Sequence, residues 1–478
     1  MISDDSSITE VVVGGAWIFS ATLAVSASGF ILWVIISRLL GVSVVGVTSA
    51  AVSAAGVAST LVAAGLPIAV MREFAAKGIE ALKPAASVTL ALGAASAAVA
   101  ALMVAALPSN FSIPYWVPPA LSLMTVASMV GLQALIGLGR FAAYFTSTLT
   151  ASLAKVIVGI GLALLGWGTL APLLGYVSYP ITALLTTTYF LATTYLTRPR
   201  NDPSSSNSLI DGASSLLKLA YSNYPFLFST QILNMLSVYF FAVLTGKAVD
   251  TGTLYLSLMI VMILNAVVNS ALSASLSVSL RRGTDPFTDT LRLALAIAAP
   301  IATAVSVAPL LPLHLINPAL VKGASTLALL TLTIPPTAVA TAALVKANKE
   351  GRHSTIAALG IVRLTTLLAL LPPLARIAGT DGVALAYLAA NITPLPIAVK
   401  EIPGTLKTLT VTWGTQTTLT LATLTLTPNP TPTQAAALAL TAAATTLAAT
   451  HATKTANLKE IAGIITTIAR KALGKQPT

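Results

Sequence analysis

No cysteine occurs anywhere in the 478 residues, so disulfides, thiolate metal sites and cysteine nucleophiles are excluded. Histidine is nearly as scarce. His314, His353 and His451 are the full set, and they fall on separate segments, so no metal site is predicted. Only 8% of residues are charged. No Walker-type glycine loop with its lysine is present, so nucleotide bound by this chain is not expected to drive its work. The net charge of +12 would suggest nucleic acid in a soluble protein, but no cluster of Lys and Arg with interleaved aromatics forms such a surface. The opening residues, MISDDSSITE, lack the basic start of a cleaved signal peptide, which predicts that the first apolar segment is retained. No catalytic set and no cofactor motif emerges, and the chain is read as a non-enzyme.

What remains is apolar. Hydrophobic residues make up 56% of the chain, and the mean hydropathy is +0.88. A soluble fold of this length has too little interior for that much apolar surface. Apolar runs of about 18–25 residues recur from end to end, the mark of an all-α polytopic membrane protein. The pattern predicts fourteen spans, at 11–37, 42–66, 85–107, 115–137, 141–166, 171–196, 216–244, 252–280, 290–313, 320–345, 353–375, 380–399, 407–427 and 433–453. Span 13 is unusual, because TLTLATLTLT (418–427) alternates with period two like a strand. A lone strand in lipid would leave its backbone groups unpaired, so helix is expected there too.

With the N-terminus placed in the cytoplasm, inner loops and tail hold 20 Lys and Arg and outer loops hold 4. The positive-inside rule expects such a split, so both termini are predicted to be cytoplasmic in a plasma-membrane protein. The longest polar stretch before the tail lies in 197–215 and reads as a cytoplasmic linker. It divides a six-helix bundle (1–196) from a second (216–400), followed by two further helices (401–453) and a cytoplasmic amphipathic tail (454–478).

The two bundles carry echoes of one another. RLLGVSVVG (38–46) followed by Lys77-Gly78 matches VLTGKAVDTG (243–252) followed by Arg282-Gly283. Gly41 to Gly78 and Gly246 to Gly283 are both 37 residues apart, at an offset of 205. GRF after span 4 matches GRH after span 10. These agreements predict an internal duplication. Six is an even number, so the second half enters the membrane in the same direction as the first. Parallel halves of this kind form N- and C-lobes around a central cavity.

Two basic residues lie inside spans. Lys155 is 15 residues past Arg140 in span 5, and Arg363 is 11 past Arg352 in span 11, a difference of about one helical turn. A charge at mid-membrane costs several kcal/mol unless it faces protein or a wet cavity, although long side chains also snorkel to the interface. All fourteen Asp and Glu fall in termini, loops or span ends. The interior field is therefore expected to be positive, which suits an anionic cargo. Lys155 and Arg363 are the candidate cargo-binding cations, with Arg38 at the outer end of span 1 as a third. Gln133, Gln231, Asn234, Asn265, Asn269 and Asn391 are candidate polar lining. Tyr176, Tyr179, Trp116 and Trp167 fall near predicted span ends, as an interfacial aromatic belt would.

VIISRLLGVSVVGVTSAAVSAAGVASTLVAAGLPIAVMREFAAKG (34–78) resembles the opening of the polysaccharide-biosynthesis membrane proteins. These are the oligosaccharide-lipid flippases of the multidrug/oligosaccharidyl-lipid/polysaccharide (MOP) exporter superfamily. Arg38–Gly41, Gly46, Gly65-Leu66 and Arg72-Glu73 carry that likeness, and 139–166 and 361–390 resemble its helix 5 and its helix 11–12 passage. The Ala- and Thr-rich last quarter has no counterpart. The resemblance implies two six-helix lobes plus two helices around a cationic cavity that opens alternately to each side. It implies a lipid-linked oligosaccharide, on a polyprenyl phosphate or pyrophosphate, moved from inner to outer leaflet. The partners implied are that glycan, membrane lipid and glycan-assembly enzymes. The runner-up is a cation-coupled multidrug or metabolite antiporter of the same superfamily; the lack of a mid-membrane acid disfavours it, and Asp381, at one end of span 12, is the acid that a shifted span would bring inside. A third reading is a non-transporting scaffold of a glycan-assembly complex.

Overall fold

The structure is a computed structural model that describes residues 4–196, 209–282, 287–427 and 430–453. Most of the 197–215 linker, Gly283 and the 454–478 tail lie outside the described residues. Among the described residues every regular element is helical. In chain order the α-helices are α1 (Asp4–Leu39), α2 (Val42–Ala63), α3 (Leu66–Lys77), α4 (Leu82–Ala105), α5 (Val117–Gly137), α6 (Phe141–Leu164), α7 (Leu170–Leu196), α8 (Leu209–Thr245) and α9 (Ala248–Arg282). They continue with α10 (Phe287–Val307), α11 (Leu310–Ile316), α12 (Ala324–Thr331), α13 (Ile334–Lys349), α14 (His353–Ile392), α15 (Leu395–Glu401), α16 (Thr405–Leu426) and α17 (Pro432–Ala452).

Among the described residues, ten helical stretches are long and apolar enough to cross a membrane, and the bent pair Pro318–Thr331 and Ile334–Lys349 makes eleven. The chain is a multi-pass membrane protein. Each of the fourteen expected spans falls on helix. Spans 11 and 12 share one stretch, 353–401, and α14 is broken inside it where Gly379 adopts φ +58°. The bend there is tight, since a methyl group on Gly382 would stand 1.9 Å from the Leu374 carbonyl oxygen. Span 7 lies in α8, whose described apolar part is the short segment Ile232–Thr245, and span 13 is α16. One stretch departs from expectation. Residues 67–84, expected as a loop, are helical throughout: α3, started by Pro67 and stopped at Gly78 with φ +62°, then a turn of 3-10 helix (Gly78–Ala81) and the first turn of α4. The continuation carries Glu73 into a buried position, where Lys77 one turn on pairs with it.

The helices group into two compact units, residues 1–256 with 368–383, and residues 257–367 with 384–478. Within the first unit, α2 is almost wholly buried and built from small residues. Its fifth residue, Gly46, meets the fifth residue of α9, Gly252. A methyl on Gly46 would stand 1.7 Å from the carbonyl oxygen of Ala248, the first residue of α9. Reciprocally, a methyl on Gly252 would stand 2.4 Å from the carbonyl oxygen of Val42, the first residue of α2. The contact is isologous: each helix offers its first carbonyl to the other's glycine. At the far end of the same row, Gly65 lies against the Ala220 backbone of α8.

Within the second unit, α12 and α13 meet at a 40° bend. Pro335 has no N–H, so the carbonyl of Thr331 four residues earlier has no helical donor. Gln416 of α16 supplies one, its Nε2 donating to Thr331 O at 3.0 Å. The strand-like threonine run of α16 is helical because its hydroxyls find acceptors on their own helix. Thr410, Thr412, Thr420, Thr423 and Thr425 each donate to the carbonyl four residues back, at 2.7–2.9 Å. That back-bonding satisfies each hydroxyl without a partner from lipid.

The turns entering α6 and α14 are alike. Gly139 has φ +71° and Gly351 φ +68°. Arg140 N donates to Leu135 O and Arg352 N to Ala347 O, both at 2.8 Å and both spanning five residues. This is the glycine-stopped helix end that returns a late N–H to an early carbonyl. Each arginine stands at the N-cap of one helix and reaches the end of the helix after it. Arg140 donates to Phe190 O at 3.0 Å and to Thr194 on α7. Arg352 pairs with Glu401 at the end of α15, at 2.5 Å, and with Glu350.

Candidate functional site

In the first unit, Lys155 lies past the middle of α6 with 4% of its surface exposed. Small residues determine what surrounds it. Gly159 and Gly175 let α6 and α7 approach so closely that a methyl on Gly175 would stand 2.9 Å from both Gly159 Cα and Lys155 O. That approach brings two tyrosines of α7 over the lysine. The Lys155 ammonium is 5.5 Å from the Tyr176 ring centre and 5.4 Å from that of Tyr179. It also donates to the Val25 carbonyl of α1 at 3.4 Å. Ring faces and a carbonyl dipole attract a cation without neutralising it.

Tyr176 extends this environment. Its hydroxyl accepts from Trp33 Nε1 at 2.6 Å and lies 3.4 Å from the Tyr255 hydroxyl. Trp33 meets the Tyr255 ring edge-on, with centres 5.1 Å apart. Lys155, Tyr176, Tyr255 and Trp33 thus join α6, α7, the start of α9 and α1.

In the second unit, Arg363 lies on α14 and is also 4% exposed. Its Nη2 donates to Asn391 Oδ1 at 2.5 Å. Thr337 of α13 donates to the same oxygen at 2.8 Å, and Asn391 Nδ2 donates to Tyr387 O at 2.7 Å. Arg363 Nε is buried with no hydrogen-bond partner among the described residues. The ion pairs found among those residues involve neither Lys155 nor Arg363. Both cations are thus solvated by neutral groups, which is costly in an apolar interior.

The remaining candidates scatter. Asn391 is brought against Arg363. Asn265, on α9, is buried with its Oδ1 unpaired among the described residues, whereas Asn269 one turn on is exposed. Gln133 is half-buried on α5, Asn234 half-buried on α8, and Gln231 lies on the same helix. Arg38 is exposed in the last turn of α1.

Two aromatic assignments change. Tyr176 and Tyr179 lie on α7 against Lys155 instead of marking an interface, while Trp116 and Trp167, at 58% and 50% exposure, lie in the connections ahead of α5 and α7. The three-residue spacing of Tyr176 and Tyr179, on a helix expected to follow the lysine-bearing one, is the signal the sequence offers. Trp33, Tyr255, Thr337 and Gln416 carried no such signal, since each acts through a partner distant in sequence. No group of His, Asp and Glu among the described residues has the arrangement of a metal site.

No protein-family model matches the chain, and no curated protein matches it by sequence. Solved structures do. The chain is similar to the lipid II flippase MurJ in an inward closed conformation, with a TM-score of 0.65 and 14% identity over 96% of this chain and 100% of that one. It is also similar to an outward-facing multidrug resistance MATE family transporter of the MOP superfamily, with a TM-score of 0.50 and 16% identity over 84% of this chain and 96% of that one. An inward-facing MATE structure aligns with the same TM-score, at 15% identity. The chain has a MurJ- and MATE-like fold.

Proposed function

We propose that this MOP-fold chain is a flippase. It moves an oligosaccharide linked to a polyprenyl phosphate or pyrophosphate from the inner to the outer leaflet of the plasma membrane, by alternating access. Fourteen crossings, with both termini in the cytoplasm, and two parallel six-helix repeats belong to the same reading. The likeness of the Gly139-Arg140 and Gly351-Arg352 turns supports the repeats.

The observation that carries the reading is the pair of buried cations whose charge no carboxylate cancels among the described residues. Lys155 rests on two tyrosine faces and a carbonyl, Arg363 on an amide oxygen. An interior that keeps positive charge at such cost is built to receive negative charge. A phosphate or pyrophosphate headgroup meets that requirement, and Asn and Gln side chains such as Asn265 bond the sugar hydroxyls. The structural likeness to a protein named as a lipid II flippase favours a lipid-linked cargo over a free one.

The test is flipping in proteoliposomes, read with a fluorescent polyprenyl pyrophosphate carrying one N-acetylglucosamine and a membrane-impermeant quencher. Lys155→Gln with Arg363→Gln is expected to abolish flipping while insertion and monodispersity are kept. Wild-type flipping by that double variant sinks the role given to the two cations, whereas no flipping by the unaltered chain sinks the flippase reading and leaves the non-transporting scaffold. A second reading, cation-coupled antiport of a drug or metabolite, is favoured by the likeness to the multidrug transporter. It makes Asp381 the coupling group, and a drug-accumulation assay with Asp381→Asn in cells lacking their own exporters separates the two.

A further inference from the structure

The position facing Arg363 invites a carboxylate, and the sequence places an amide there. Asn391 is fully buried and uses both ends of its side chain. Its Oδ1 accepts from Arg363 and from Thr337, and its Nδ2 donates to Tyr387 O one turn back. Turning the amide over would place its NH2 against the guanidinium, which can only donate, and its oxygen against a carbonyl, so these two bonds hold it one way round. Aspartate has nearly the same shape, and its carboxylate would pair with the guanidinium and cancel its charge. The amide oxygen instead fixes the guanidinium through a dipole and leaves the unit charge intact. Arginine keeps that charge under nearly any burial. Held at Nη2, the guanidinium still has Nε without a partner among the described residues.

We infer that Asn391 is a positioning residue: braced by Thr337 and the Tyr387 carbonyl, it orients Arg363 and leaves the arginine's charge uncancelled for an oxyanion of the cargo. This rests on the reading of Arg363 as a cargo-binding cation. It gives Asn391 a different task from lining the path for sugar hydroxyls, because its hydrogen-bonding groups are already engaged.

The substitution that tests it is Asn391→Asp, which keeps shape and changes charge. Binding of citronellyl pyrophosphate to the purified full chain in detergent is followed by tryptophan fluorescence, with uncharged citronellyl glucoside as control. N391D is expected to weaken pyrophosphate binding about ten- to a hundredfold, the worth of a charge-assisted bond, and to leave glucoside binding unchanged. It is also expected to melt above Asn391→Ala, because only the carboxylate can pair with Arg363. Wild-type pyrophosphate binding by N391D, with Arg363→Gln weakened, overturns the inference and leaves Arg363 in its role. Wild-type binding by Arg363→Gln overturns the reading beneath it. If N391D does not fold, Thr337→Val removes one brace without adding charge. Its pyrophosphate affinity is expected to fall about three- to tenfold, and unchanged affinity overturns the inference.

Discussion

At the scale of single residues, the two interior cations are held at a cost in stability, which the proposed cargo site would explain. Lys155 is buried beside groups that attract its charge without neutralising it. Methionine has a similar length and no charge to desolvate. Lys155→Met is therefore expected to raise unfolding stability by about 1–3 kcal/mol, as replacing buried ionic groups by apolar ones often does. The same variant loses flipping. Unfolding midpoints in mixed detergent, measured beside the flipping assay, check both halves of the prediction. A residue kept only for packing moves the other way, with stability falling and transport following it. The cations themselves were legible in the sequence, because a charge inside an apolar run stands out. Their surroundings were not. Tyr176 and Tyr179 reach Lys155 only because Gly159 and Gly175 let two helices approach, and glycine spacing on separate helices does not announce which pairs will meet.

At the scale of helices, contact distance is set by what side chains leave out. The Gly46–Gly252 contact has no room for a Cβ on either side, and the atoms in the way are backbone carbonyls, which cannot rotate aside. Gly46→Ala and Gly252→Ala are each expected to cost about 1–3 kcal/mol, the usual penalty of overpacking. Because they press on the same contact, the double variant should cost less than the two summed. A double-mutant cycle on unfolding midpoints reads that coupling, and strict additivity would show that the helices do not meet there. Gln416 provides a second case. Gln416→Leu leaves the Thr331 carbonyl without the donor that Pro335 fails to supply, and a loss of about 1 kcal/mol is expected from measured interhelical hydrogen bonds in membranes. Restoring an N–H with Pro335→Ala in the same chain should recover part of it.

Sequence periodicity was informative at this scale for long apolar runs and weak for mixed ones. The helical state of α16 followed from the impossibility of a lone strand in lipid. The glutamine that repairs the α12–α13 bend was missed, since nothing in a threonine-rich helix marks which polar residue will face a distant proline break. Residues 67–84 misled for another reason. Arg72, Glu73, Lys77, Glu80 and Lys83 look like a loop by composition, yet Glu73 and Lys77 are one turn apart and pair on a helix.

At the scale of the whole molecule, scattered pairs of glycine with a basic residue predict an internal duplication, and the described turns at Gly139 and Gly351 share their backbone and the reach of their arginines. The energetics of the proposed cycle depend on charge at the same scale. Lys155 and Arg363 are fixed to helices, while the headgroup they bind travels. If both stay in place as a di-anionic headgroup moves outward, two negative charges cross the field. An inside-negative potential then contributes about 4.6 kcal/mol per 100 mV, twice the value for one charge. That is a factor of about two thousand in the equilibrium distribution between leaflets. Proteoliposomes with potassium inside and valinomycin present provide a potential of chosen size and sign. Accumulation of the pyrophosphate-linked probe in the outer leaflet should rise with inside-negative potential, and collapsing the gradient with external potassium should return it to equality. The same probe built on a neutral lipid glucoside, if carried, should show no such dependence. Potential-independent accumulation of the charged probe would mean that counter-charge moves with it, and the acid to test next would be Asp381.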